Sequence, residues 1–155
     1  MKLLKGGSIV EVIVASALIS VAVIAALSLM NHTQKQNSYA KGLAEATKYG
    51  SQSLDWLRTQ RDIVGWAIIA DKVTSDGSPA TYCLSTIPFS TTRFTDVAAG
   101  ACGTTDFIPS TIFIREITID SSDAANGTLT ITSKVRWQEK IMRETSVETE
   151  LSRWN

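Results

Sequence analysis

The sequence predicts an α+β protein: one long N-terminal helix, membrane-spanning in its first half, packed on a three- or four-stranded antiparallel sheet. Three observations carry this expectation. Val12–Met30 is a run of 19 residues without a charge, VIVASALISVAVIAALSLM. Beyond it, apolar and small residues keep a helical period as far as Leu57, and after Thr111 the period changes to two. Strands that follow a single long helix make an α+β head.

The uncharged run comes first. At a rise of about 1.5 Å per residue it reaches roughly 28 Å as a helix, close to the hydrocarbon thickness of a bilayer. Its polar residues, Ser16, Ser20 and Ser28, can each return the hydroxyl to a carbonyl one turn back. Lys2 and Lys5 precede the run, so the positive-inside rule keeps the N-terminus in the cytoplasm and sends the rest outward. A secretory signal peptide has a shorter apolar core, about 7–15 residues, and a small-residue exit. This run is longer and flows into MNHTQKQNSYAKG with no such exit. The expectation is a retained single-pass helix in the cytoplasmic membrane, with the head outside.

The junction MKLLKGGSIVEV carries the most specific signal. Glu11 lies within the first turns of the apolar helix, where an ionised, unpaired carboxylate costs about 2–3 kcal/mol. Simple anchoring does not require it. A short basic leader, a glycine before an apolar helix, and a glutamate five residues into that helix resemble the type IV prepilin family, including the pseudopilins of type II secretion. The resemblance implies a leader over residues 1–6, cleavage between Gly6 and Gly7 by a prepilin peptidase, and N-methylation of Gly7. It implies a filament-core helix over 7–30 and an extracytoplasmic pilin-like head over 31–155. It also implies a role for Glu11 in filament assembly. In a water-poor bundle the carboxylate needs a partner, and the new α-amine of Gly7, on the same or a neighbouring subunit, supplies one only in the correct axial register. The sequence departs from the family pattern in two ways. The first mature residue would be Gly7 where an aromatic or Met is usual, and no proline precedes Pro79, so the helix lacks the usual cause of a kink.

After Met30 the chain turns polar without becoming a linker. Tyr39, Leu43, Ala46, Gly50, Leu54 and Leu57 form a stripe at helical spacing, which lays the continuing helix against the head until about residue 62. Gly42 and Gly50 weaken the helix but permit close packing. Lys41, Glu45 and Lys48 read as its solvated face. Arg58, Arg61 and Asp62 read as its end, and Gly65 breaks the pattern.

The strands follow. Thr111–Asp120 is rich in β-branched and aromatic residues. Thr128–Gln138 alternates, with Leu129, Ile131, Val135 and Trp137 on one face and Thr130, Thr132, Lys134 and Arg136 on the other. In Arg143–Arg153, Val147 and Leu151 oppose Glu148, Glu150 and Ser152. The sheet is expected over 111–154, with Asn126-Gly127 as a hairpin signal between strands.

The stretch 71–109 reads as loop-rich and holds both cysteines, Cys83 and Cys102. An even pair outside the cytoplasm favours a structural disulfide over a reactive thiol, worth about 3 kcal/mol in the chain-entropy model. Asp120, Asp123 and Asn126 offer oxygen ligands for calcium, but a turn uses the same residue types. His32 reads as a boundary polar residue. Trp56, Trp66, Trp137 and Trp154 read as core or a ligand shelf.

No nucleophile elbow, phosphate loop or metal pair appears, so neither an enzyme nor a cofactor is expected. The 15 basic residues balance the 15 acidic ones, so charge predicts no contact with nucleic acid. The segments GLAEATKYGSQSLDWLRTQRDIVGW, KVRWQEK and VETELSRW resemble PilV-type minor pilins. The implied function is a minor pilin-like structural subunit serving adhesion, motility, DNA uptake or assembly priming. Its implied partners are other pilin subunits through the N-terminal helix, prepilin peptidase, the inner-membrane assembly platform and, before assembly, the bilayer. The alternatives are a type II secretion minor pseudopilin and a signal-anchored extracytoplasmic binding module with no filament role.

Overall fold

A computed structural model describes residues 9–139 and 141–153. The first helix, α1, runs unbroken over Ile9–Val64, and Gly65, at φ +91, ends it. A second helix, α2, covers Trp66–Asp76. Four strands follow: β1 (Ala80–Cys83), β2 (Phe113–Asp120), β3 (Thr128–Gln138) and β4 (Met142–Ser152). They form one antiparallel sheet in the order β1-β2-β3-β4. The chain divides into two compact units between Lys41 and Gly42.

In the second unit, the stripe of α1 meets the sheet as its spacing requires. Ala46, Gly50, Leu54 and Leu57 are buried, joined by Ser53, Trp56 and Gln60, and Leu43 is half-buried, while Glu45 and Lys48 stay exposed. Tyr39, also expected on the stripe, and Lys41 lie before this unit and are exposed. The matching face of the sheet alternates down β3, with Leu129, Ile131, Ser133, Val135 and Trp137 inward. The two surfaces approach so closely that a side chain at Gly42 would displace Trp137, and one at Gly50 would be tight. A Cβ on Gly42 would lie 2.8 Å from Trp137 Nε1, and one on Gly50 would lie 3.3 Å from a methyl of Val147. Ser53 completes the seam, with its hydroxyl 3.2 Å from that of Ser133.

Two elements correct the sequence reading. Residues 66–76 are helical where a break after Gly65 and loop from Asp71 were expected; Ile69 and Val73, four apart and fully buried, supply the apolar face. The fourth strand, β1, lies inside the stretch read as loop. Its four residues are too few for alternation to declare, and it exists because Tyr82 and Ala80 face the core opposite Ile117 and Ile119. The β2–β3 connection is also longer than a two-residue hairpin. It holds a 3-10 turn at Ala124–Asn126, and Gly127 takes a left-handed φ of +83.

Gly42→Val is expected to destabilise the head by about 1–3 kcal/mol, because the branched side chain overpacks against Trp137. Thermal unfolding followed by near-UV circular dichroism reports it. An unchanged midpoint would mean that the glycine is not required for the approach.

Candidate functional site

Two regions carry the candidate residues. The first is the start of α1. From Ile9 to Met30 the side chains are exposed, Ile9 at 79% and Leu18 at 68%, and the helix is long and apolar enough to cross a membrane. Ser16 and Ser20 donate their hydroxyls to the carbonyls of Ile13 and Ser16 at 2.9 and 2.8 Å, which removes them as free polar groups. Glu11 is exposed on this segment and forms no ion pair among the described residues. Gly6 and Gly7, the residues expected to be cut and methylated, lie outside the described residues, as do Lys2, Lys5 and Trp154. Downstream, a ring nitrogen of His32 sits 2.9 Å from the Gln36 amide, one helical turn on.

The second region is the segment between β1 and β2. Cys83 and Cys102 form the expected disulfide, with Cα atoms 4.7 Å apart. The bridge holds the chain around Cys102 against the sheet face opposite α1, while Val97 and Ile108 on either side of it join the buried clusters on the α1 side. Cys102 N donates to Glu116 Oε2, and Arg136 Nη2 donates both to Cys102 O and to Glu116 Oε2, each at 3.3 Å. Ile114 is buried beneath. Asp106 lies close to both sulfurs, but these are bonded to each other and offer no thiolate, and its carboxylate accepts from Gly103 N at 2.7 Å.

Sequence reasoning missed Arg115. It is buried at 4% exposure on the core side of β2, donates Nη2 to Leu84 O at 3.0 Å, and places its guanidinium carbon 4.1 Å from the centre of the Phe89 ring. Phe89 also stacks with Trp56 at 4.7 Å. Burial pushes the Arg115 guanidinium down to about 10, still charged at neutral pH. The signal was available: one charged pair, Arg115-Glu116, interrupts the apolar run FIREITI. Trp56 and Trp137 are buried in the core rather than forming a shelf, and Trp66 is half-buried against it.

Near β1, Tyr82 donates its hydroxyl to Asp76 Oδ2 at 2.8 Å, and Lys72 pairs with the same oxygen at 3.2 Å. The tyrosine's hydrogen bond, aided by Lys72, holds the Asp76 carboxyl below its ordinary range. Burial first, and then the Asp76 carboxylate, pushes the Tyr82 phenol up. These bonds tie the end of α2 to β1. In the 120–126 turn, Asp120 Oδ1 accepts from Ser78 Oγ and Ser122 N, at 2.9 and 2.8 Å. Asp123 Oδ1 accepts from the Asn126 amide at 3.1 Å. One oxygen each of Asp120 and Asp123 is thus engaged in the turn itself. No family model, curated protein or solved structure matches the chain.

Asp76 has a pKa lowered on folding, so its stabilising contribution is complete above the unfolded value of 3.8 and is lost as pH falls through the folded one. Asp76→Asn is expected to be less stable at neutral pH and to lose less stability than the parent below about pH 4. Unfolding midpoints measured across pH 2–6 test this, and parallel acid limbs in the two proteins would refute it.

Proposed function

We propose that the chain is a minor type IV pilin-like subunit, held in the membrane after translocation, cut between Gly6 and Gly7, and inserted into a filament by packing of its N-terminal helix. One observation carries this reading. Glu11 is the only charge between Ile9 and Met30, on an exposed apolar helix that continues as the packed spine of an α+β head. A helix that serves only as a tether gains nothing from a carboxylate in its apolar part and is destabilised by it. A helix that must find one register among neighbours gains selectivity. A subunit out of register leaves the charge unpaired, and an unpaired buried charge costs several kcal/mol. The positive partner this requires is an α-amine, created at Gly7 by removal of the leader. The packed head supports the same reading, since the outward half of α1 cannot slide against the sheet without breaking its seam with Trp137 and Val147.

Mass spectrometry of the native N-terminus is expected to give a chain that begins at Gly7 and carries one N-methyl group. A chain that still begins at Met1 would favour a signal-anchored module without a filament role. Glu11→Val is expected to insert and be processed normally but to be incorporated into filaments at less than about one tenth of the parent level, from the loss of a charge pair worth more than about 1.4 kcal/mol. Immunoblots of sheared filaments against membranes measure this ratio, and equal incorporation would remove the pairing role.

A further inference from the structure

The two edges of the sheet are treated differently. Along β1, Gly100 bridges to Tyr82 and its N–H donates to Thr81 O at 2.7 Å, so the disulfide-held segment covers that edge. At the other edge, no described strand pairs with the outer side of β4. The β3–β4 register runs unbroken from Thr128↔Ser152 to Gln138↔Met142, without a bulge or a proline to protect the edge.

The ends of this ladder fix which backbone groups point outward. Glu139 N donates to Ile141 O, and Arg153 N donates to Gly127 O, so the hydrogen-bonded pairs are odd-numbered. At the even positions the groups turn away. Thr128 N bonds Asp123 O, and Ser152 O accepts from Arg61 Nη1 at 3.1 Å. By alternation, Glu144, Ser146, Glu148 and Glu150 direct their N–H and C=O groups away from β3. Their side chains are all exposed, on the face opposite α1. Beside this edge, a groove of about 320 Å³ between α1 and β4 is lined by Ser51, Leu54, Asp55, Arg58, Val147 and Thr149. It gives room for the inward side chains of an added strand.

Charge selects the occupant. Glu144, Glu148 and Glu150 form no ion pair among the described residues, and Arg136, across from Glu144, is bonded to Glu116 instead. A second copy of β4 would set glutamate beside glutamate, and like charges on neighbouring strands are destabilising. We propose that β4 is the docking edge for an extended segment of a different polypeptide. This segment carries lysine or arginine at alternate positions, and its backbone pairs with Glu144, Ser146, Glu148 and Glu150.

The test uses the full chain in dodecyl maltoside micelles and a ten-residue peptide alternating lysine and threonine, with amide exchange followed by NMR. The amides of Glu144, Ser146, Glu148 and Glu150 are expected to slow by at least about tenfold, while those of Arg143, Thr145, Val147 and Thr149 do not change. No slowing, or equal slowing of both sets, overturns the proposal. So does equal protection by a peptide alternating glutamate and threonine. Ser146→Pro removes an outward N–H without taking a bond from the β3 ladder, and is expected to abolish the protection while the head stays folded. Replacing Glu144, Glu148 and Glu150 together by Gln is expected to weaken binding by about tenfold at low salt. Unchanged affinity would dismiss the charge selection. A peptide N-methylated at alternate backbone positions that binds as tightly as its parent would reduce the effect to charge attraction and also overturn the proposal.

Discussion

The head depends on one steric constraint, the close approach of α1 to the sheet along a line of small residues. Gly42, Ala46, Gly50 and Ser53 face a surface that includes Trp137, Val135 and Ser133. Glycine in a helix interior costs up to about 1 kcal/mol relative to alanine. Here the cost is offset because the indole of Trp137 fills the space a side chain would take. The larger residues of the same stripe, Leu54, Trp56 and Leu57, pack where α2 and the segment after β1 widen the core around Tyr82 and Phe94. The helix therefore presents a thin part and a thick part, and the sheet and loops are shaped to match.

The face of the sheet opposite α1 is divided. Around β1 and β2 the disulfide-held segment covers it, burying Ile114 and enclosing the Glu116–Arg136 pair. Among the described residues β4 has no such cover, and glutamates stand at three of its exposed positions. The same division explains why β2 is buried on both faces over most of its length while β4 alternates. Arg115 belongs to the covered part. Among the described residues no carboxylate hydrogen-bonds its charge, which is held instead by a carbonyl and by the face of Phe89, an arrangement that couples the loop closed by the disulfide to the core.

Glu11 poses the opposite problem from Arg115. The arginine is buried in its own fold and finds neutral partners there. The glutamate sits on a helix segment whose apolar surface is exposed among the described residues. In a water-poor bundle of such helices an ionised carboxylate is costly without a positive partner, which is why the proposed register check follows from charge placement and not from packing.

The long helix, the alternation in β3 and β4, and the cysteine pair were legible because each rests on a local pattern: an unbroken uncharged run, a period of two, and an even count of cysteines in loop sequence. Gly42 and Gly50 could be read as close-packing sites, but not their partners, since Trp137 and Val147 lie about a hundred residues away in the chain. β1 and α2 escaped the reading because a four-residue strand and a short helix declare no period of their own. Tyr82 and Ala80, like Ile69 and Val73, are placed by the core they join. Arg115 and the bare edge of β4 were decided only by tertiary structure. Whether a charge is buried, or a strand has a neighbour, depends on which segments fold over it, and that is a property of the assembled sheet rather than of any stretch of sequence.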